Sequence, residues 1–228
     1  MKTSHILLAL ITMVTLTGMV ATDLLLKEQY DKIDWRNTYQ DFKKQDLPTA
    51  RHWVVTGTPT SEVIVEKTVS KPQALIAPEE VKFYRVRRQG DTAFVSFTPD
   101  YSGYRSSPQD DAGRELGIQL VLRLPGFQTL TVENARLTLS GLSTDSLTVS
   151  LAQSRLRTHN VAVSAQFKLK VTQNSFAMLG NDQYKLLQAV VADSSGMQLN
   201  DSRVDAFTKN ISPKAGIQLE GQALKWLK

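Results

Sequence analysis

Few residues in this chain have the types and spacing that chemistry requires. Asp110-Asp111 is a carboxylate pair that could serve acid–base work or form half of a calcium site, but its loop is glycine-poor and holds no further acids, so it reads as a solvated turn. His5, His52 and His159 are scattered, and His159 beside Asn160 falls in an expected turn, where a solvated corner is the simpler reading than a general base. Gly141-Leu142-Ser143-Thr144-Asp145 begins like a nucleophile elbow but ends in Asp where a second glycine is needed. There is no phosphate-cradling glycine loop and no His-Glu-x-x-His. Asn200-Asp201-Ser202 and Asn210-Ile211-Ser212 satisfy the glycosylation sequon, a frequent chance match. Arg85, Arg87 and Arg88 form the densest basic cluster; on a strand the first two share one face and Arg88 points away. That arrangement suits an anion contact, or a sheet edge protected by charge. Motifs for DNA or RNA are absent, and no nucleic-acid partner is expected. No catalytic, cofactor-binding or metal residue is assigned.

What positions these residues follows from composition. The chain has 228 residues, 41% hydrophobic and 21% charged, which suits a folded protein with a sizeable core and excludes a disordered one. The absence of cysteine removes disulfide frameworks, thiolate metal sites, cysteine nucleophiles and a lipidated-cysteine anchor together. A net charge of +5 is explained by solubility, and it would also favour lipid headgroups, acidic polysaccharide or nucleic acid.

Residues 6–21 carry no charge. As a helix they span only about 24 Å; counted through Leu26 the run reaches about 31 Å, enough for a hydrocarbon core. The expectation is a single-pass transmembrane anchor in the inner membrane over residues 1–27, with Lys2 cytoplasmic and the remainder periplasmic. A signal peptide cleaved after Met19-Val20-Ala21 is the alternative, with Met bulky at a position that should be small. Residues 28–51 read as a juxtamembrane segment in which Tyr30, Trp35, Tyr39 and Phe42 either sit at the interface or pack on the folded domain.

Residues 52–228 read as one β domain. His52–Thr56 and Glu62–Glu66 are β-branched runs around the turn-forming Gly57-Thr58-Pro59, while Val81–Val86 and Ala93–Phe97 suggest a hairpin turning over 87–91. Residues 98–114 read as a surface loop. Over 130–228 the chain repeats: Leu147, Phe167, Leu187 and Phe207 lie 20 residues apart, and the first three open alternating strands ending at Leu151, Val171 and Val191. A second apolar column reads Leu156, Phe176, Met197 and Ile217, after polar corners at Gln153-Ser154, Gln173-Asn174, Asp193-Ser194 and Pro213-Lys214. Leu130, Val132 and Leu137 read as a shorter preceding rung. A period near 20 residues marks a β-solenoid, in which each coil covers the inward side chains of the last. A regular β-sandwich is the competitor.

With anchor and repeat in view, the chain resembles Bacteroidetes-type membrane-associated proteins with the head GIN domain, labelled auto-transporter adhesin-like. The resemblance rests on the anchor followed by residues 23–34 (DLLLKEQYDKID), on the rungs, and on the closing Ala223-Leu224-Lys225-Trp226-Leu227. It implies a right-handed parallel β-helix and no catalytic residues. The functional expectation is a non-enzymatic, membrane-anchored scaffold or adhesin-like protein with a protein or glycan partner. A polysaccharide-active β-helix enzyme and an accessory subunit of a membrane signalling or transport assembly are the alternatives. The enzyme would need paired acids on one face, whereas Leu151, Val171 and Val191 are apolar and the candidate acids Asp193, Asp201 and Asp205 are dispersed.

Overall fold

The computed structural model describes residues 2–34, 37–59, 62–99 and 117–227. Trp35, Asp110-Asp111 and most of the expected loop at 98–114 lie outside them. The chain falls into two compact units, Met1–Asp41 and Phe42–Lys228.

The first unit is dominated by helix α1 (Lys2–Asp31). Its span His5–Asp31 has a mean hydropathy of 1.9 with none of its most apolar window buried, long and apolar enough to cross a membrane. Thr12, Thr15, Thr17 and Thr22 return their hydroxyls to the carbonyl four residues earlier, so these polar groups are satisfied within the helix.

The second unit is mainly β. In chain order its strands are β1 (Lys43–Asp46), β2 (His52–Gly57), β3 (Glu62–Lys67), β4 (Gln73–Ile76), β5 (Tyr84–Gln89), β6 (Thr92–Phe97), β7 (Ile118–Leu124), β8 (Thr129–Glu133) and β9 (Arg136–Ser140). They continue as β10 (Ser143–Ala152), β11 (Arg155–His159), β12 (Ala162–Thr172), β13 (Phe176–Gly180), β14 (Gln183–Val191), β15 (Gly196–Asn200), β16 (Arg203–Ile211) and β17 (Gly216–Glu220). From β8 onward odd and even strands alternate between two sheets, ordered β1-β4-β7-β3-β9-β11-β13-β15-β17 and β16-β14-β12-β10-β8-β2-β6-β5.

The sheets are mixed, where the family resemblance implies a parallel β-helix. From β8 to β17 every pairing is parallel, whereas β1, β4 and β5 pair antiparallel with their neighbours. The expected hairpin exists as β5–β6, but its turn tightens to Gly90-Asp91, with Gly90 at φ 60°. Val81–Phe83 belongs instead to a 3-10 helix, Pro78–Phe83, that Pro78 opens with its fixed φ. The runs on either side of Gly57-Thr58-Pro59 go to different sheets and do not pair with each other.

The first apolar column forms as its spacing predicts. Leu147, Phe167, Leu187 and Phe207 stand in register on β10, β12, β14 and β16, and the first three are fully buried. The second column is corrected at one position: Leu156 is in register with Ala177, then Met197 and Ile217. Phe176 pairs with Arg155 and Gly196 on the outer face. Phe176-Ala177 is an apolar pair, and a slip of one residue reverses every side chain of a strand. Ala177 fills the core row although Phe176 is the larger side chain. Side chains from both sheets merge into one buried core from Leu47 to Ala223.

Two series of corners turn the chain between sheets. One places Gly141, Asn160, Asn181, Asp201 and Gly221 at φ between 46° and 62°, the left-handed region that Gly, Asn and Asp enter at least cost. The other uses Asn134, Gln153, Gln173, Asn174 and Asp193 in the same region. Beside it runs a ladder of buried serines, in which the backbone N–H of Ala135, Ser154 and Ser175 donates to Oγ of Ser154, Ser175 and Ser195 at 3.2, 3.0 and 3.1 Å. Each serine satisfies the corner of the coil before it, so a buried bend leaves these amides paired.

Candidate functional site

The outer face of the β10-β12-β14-β16 sheet presents side chains in register that are polar except at Val190. One row reads Thr148, Lys168, Gln188 and Thr208; the next reads Ser150, Lys170, Val190 and Asn210. These residues alternate with the buried column because a strand sends successive side chains to opposite faces. Toward the start of the same strands the ladder is interrupted between Thr144 and Ser146 and between Val163 and Phe167. Irregularities of this kind re-aim side chains, and here they open a groove of about 390 Å³ lined by Ser143, Ser164, Gln183, Lys185, Arg203 and Asp205.

The groove is polar and mixed in charge. Ser164 Oγ donates to Asp145 Oδ1 at 2.7 Å, and Arg203 Nε stands 3.9 Å from Asp205 Oδ1, a loose pair at an exposed position. Among the lining residues Asp205 is the only carboxylate. Beside Asp205 the lining carries the cations Lys185 and Arg203, and Asp145 adjoins it through Ser164. The described residues contain no cluster of three metal-ligating side chains.

Beneath the groove lies a buried polar cluster. Asp182, 2% exposed, accepts from the Val161 N–H at 2.8 Å, from the Tyr184 hydroxyl at 2.8 Å and from the Thr158 hydroxyl. Burial raises the Asp182 pKa against the lowering effect of those donors. Tyr184 is pushed well above its ordinary value by burial first and by the neighbouring Asp182 charge second. Its ring packs against Phe167 at 5.0 Å, so it forms the floor and offers no stacking face to a ligand. The cluster holds a corner together; Leu142, Val161 and Ser202 take the place of Asp182 in the other coils, each one residue before the registered Ser143, Ala162 and Arg203.

The residues singled out by type are dispersed. His52 Nδ1 lies 2.8 Å from Thr129 Oγ1, and His159 is exposed at a strand end. Asp193 accepts the Gln173 N–H at 3.0 Å at one corner, Asp201 sits at the opposite corner, and Asp205 lies in the groove. Arg85, Arg87 and Arg88 lie on β5, an edge strand. Composition and spacing missed two buried guanidiniums on the outer face of the other sheet: Arg136 and Arg155 are 1% and 2% exposed and stand in register, with Glu62 in register beside Arg136. Their 19-residue spacing is the coil period, a signal that a search confined to apolar columns passes over.

No family model matches this chain, and no curated protein matches it. Among solved structures it is similar to a candidate adhesin from Bacteroides fragilis at 10% identity, covering 79% of this chain and 97% of that one with a TM-score of 0.35. A candidate lipid-binding protein from Parabacteroides distasonis aligns at 8% identity over 80% and 98% of the two chains, TM-score 0.33. A candidate adhesin from Parabacteroides merdae aligns at 11% over 79% and 95%, TM-score 0.32. Likenesses at these scores assign neither a ligand nor an activity.

Proposed function

We propose that this chain is a non-enzymatic binding scaffold of the head GIN type, held at the inner membrane by residues 1–27, with the Phe42–Lys228 unit extracytoplasmic. Its alternating strands are the coils of a right-handed parallel β-helix, capped at its start by antiparallel strands. The observation that carries the reading is the pair of rows in register across four parallel strands, polar except at Val190, ending in the groove around Gln183, Lys185 and Arg203. Such a surface recognises a polar protein or glycan segment by repeated hydrogen bonds, and its rigidity lowers the ordering cost of binding.

The test compares full-length protein with a Gln183→Ala/Lys185→Ala/Arg203→Ala variant in pull-downs from native membranes, analysed by mass spectrometry, alongside a polysaccharide panel scored for binding and for products. The reading expects partners lost from the variant and no turnover. Identical recoveries from both proteins, or turnover abolished by Asp205→Asn, would overturn it. Intact mass and carbonate washing check the anchor: the chain should keep its first 21 residues and stay with the membrane, whereas their loss would make it an exported soluble protein.

A further inference from the structure

At one end of the strand stack the edges are basic. Sheet order places β1 and β5 at the edges beyond β4 and β6, and β17 and β16 at the opposite edges. Consecutive strands β6 and β7 occupy matching places in the two sheets, next inward from β5 and β4, so β1 and β5 belong to the same end. Exposed there are Lys43 and Lys44 on β1, Arg85, Arg87 and Arg88 on β5, and Lys82 just before it. Among the described residues the acids nearby are Asp46 and Glu79, exposed, and Glu80, buried; Asp91 faces Arg51 at 3.5 Å. The opposite end intermixes signs, with Arg203 beside Asp205 and Glu220 accepting from Gln198 at 3.0 Å.

The three arginines are held while remaining exposed. Arg85 Nη1 donates to the Lys82 and Tyr84 carbonyls at 2.8 Å each, Arg88 Nε donates to the Gly90 carbonyl at 2.7 Å, and the Arg87 guanidinium lies 4.4 Å from the Phe94 ring centroid. Each has further N–H donors, and a guanidinium fork fits a phosphate. The chain also enters the unit at this end, through β1.

We propose that the β1–β5 end of this unit docks on anionic lipid headgroups of the membrane that carries α1. The inference shares the membrane anchor with the proposed function and nothing else: Arg85, Arg87 and Arg88 are outside the groove.

The test uses the Phe42–Lys228 unit, which contains every residue of the buried core among the described residues. Sedimentation with phosphatidylcholine vesicles, with and without phosphatidylglycerol, should show binding only when the anionic lipid is present, weakening as salt rises. Arg85→Ser/Arg87→Ser/Arg88→Ser should lower the partition coefficient by roughly 10²-fold, from the worth of each cation at an anionic surface. Arg85→Lys/Arg87→Lys/Arg88→Lys should keep most of the binding. A charge-matched control at the opposite end, Lys209→Ser/Lys214→Ser/Lys225→Ser, should leave it nearly unchanged. Equal losses in the control would reduce the effect to net charge and overturn the proposal, as would equally strong, arginine-dependent binding to heparin or DNA. No binding to anionic vesicles overturns it while leaving the groove reading intact; loss of partners from the groove variant, with vesicle binding unchanged, separates the two in the other direction.

Discussion

Replacing Phe167 by Ala tests the stacked core at its centre. Phe167 is wholly buried, stands in register between Leu147 and Leu187, and packs its ring 5.0 Å from that of Tyr184. Truncation leaves a cavity that strands on both sides cannot close without breaking their own registers, so the cost should reach the usual range for a buried phenylalanine, about 3–5 kcal/mol. Lys168, the next residue, is exposed on the opposite face of β12, and Lys168→Ala should stay within about ±0.5 kcal/mol. Phe207 occupies the same column on the terminal strand, is only half-buried, and has Leu187 on one side and the Trp226 ring at 6.2 Å. Phe207→Ala should therefore fall between the other two. Urea unfolding of the Phe42–Lys228 unit reads the three in order, with an unchanged m-value showing that the same surface is exposed in each. A Phe167→Ala cost within about 1 kcal/mol of that of Lys168→Ala would refute the reasoning, because a residue in an interdigitated core row cannot be removed so cheaply.

Other consequences are independent of that one. Burial holds the Asp182 pKa above its unfolded value in the folded chain, so its contribution to stability is greatest when protonated and declines as pH rises from about 4 through the raised value. Asp182→Asn should remove that slope in thermal melts across pH, whereas Asp182→Ala should cost about 1–3 kcal/mol by orphaning the Tyr184 and Thr158 hydroxyls and the Val161 N–H. A Cβ on Gly196 would meet the Phe176 ring at 2.7 Å; Gly196→Ala should destabilise alone and be relieved by Phe176→Ala, and additive effects in a double-mutant cycle would contradict the outer-face placement of Phe176. The buried Tyr84 hydroxyl has no hydrogen-bond partner among the described residues, so Tyr84→Phe should unfold at equal or higher urea, with a gain of up to about 1 kcal/mol.

Legibility divided along a physical line. The sequence by itself determined whatever depends on local periodicity: an apolar helix at the start, alternating strands, the 20-residue column through Leu147, Phe167, Leu187 and Phe207, and polar corners where Asn, Asp and Gly accept a left-handed backbone. The hairpin into β6 was legible for the same reason. Only the tertiary structure decided which of Phe176 and Ala177 enters the core, because both parities of an apolar dipeptide satisfy alternation and the choice belongs to Leu156 and Met197 on the neighbouring coils. It also decided that Ser154, Ser175 and Ser195 are buried: serine at a corner reads as solvated until the amide of the preceding coil is placed against it. The groove belongs to the same class. Ser143, Ser164, Gln183, Lys185, Arg203 and Asp205 are unremarkable as a sequence, separated by up to 62 positions, and become one surface only when the parallel register sets four strands side by side and their irregularities open it.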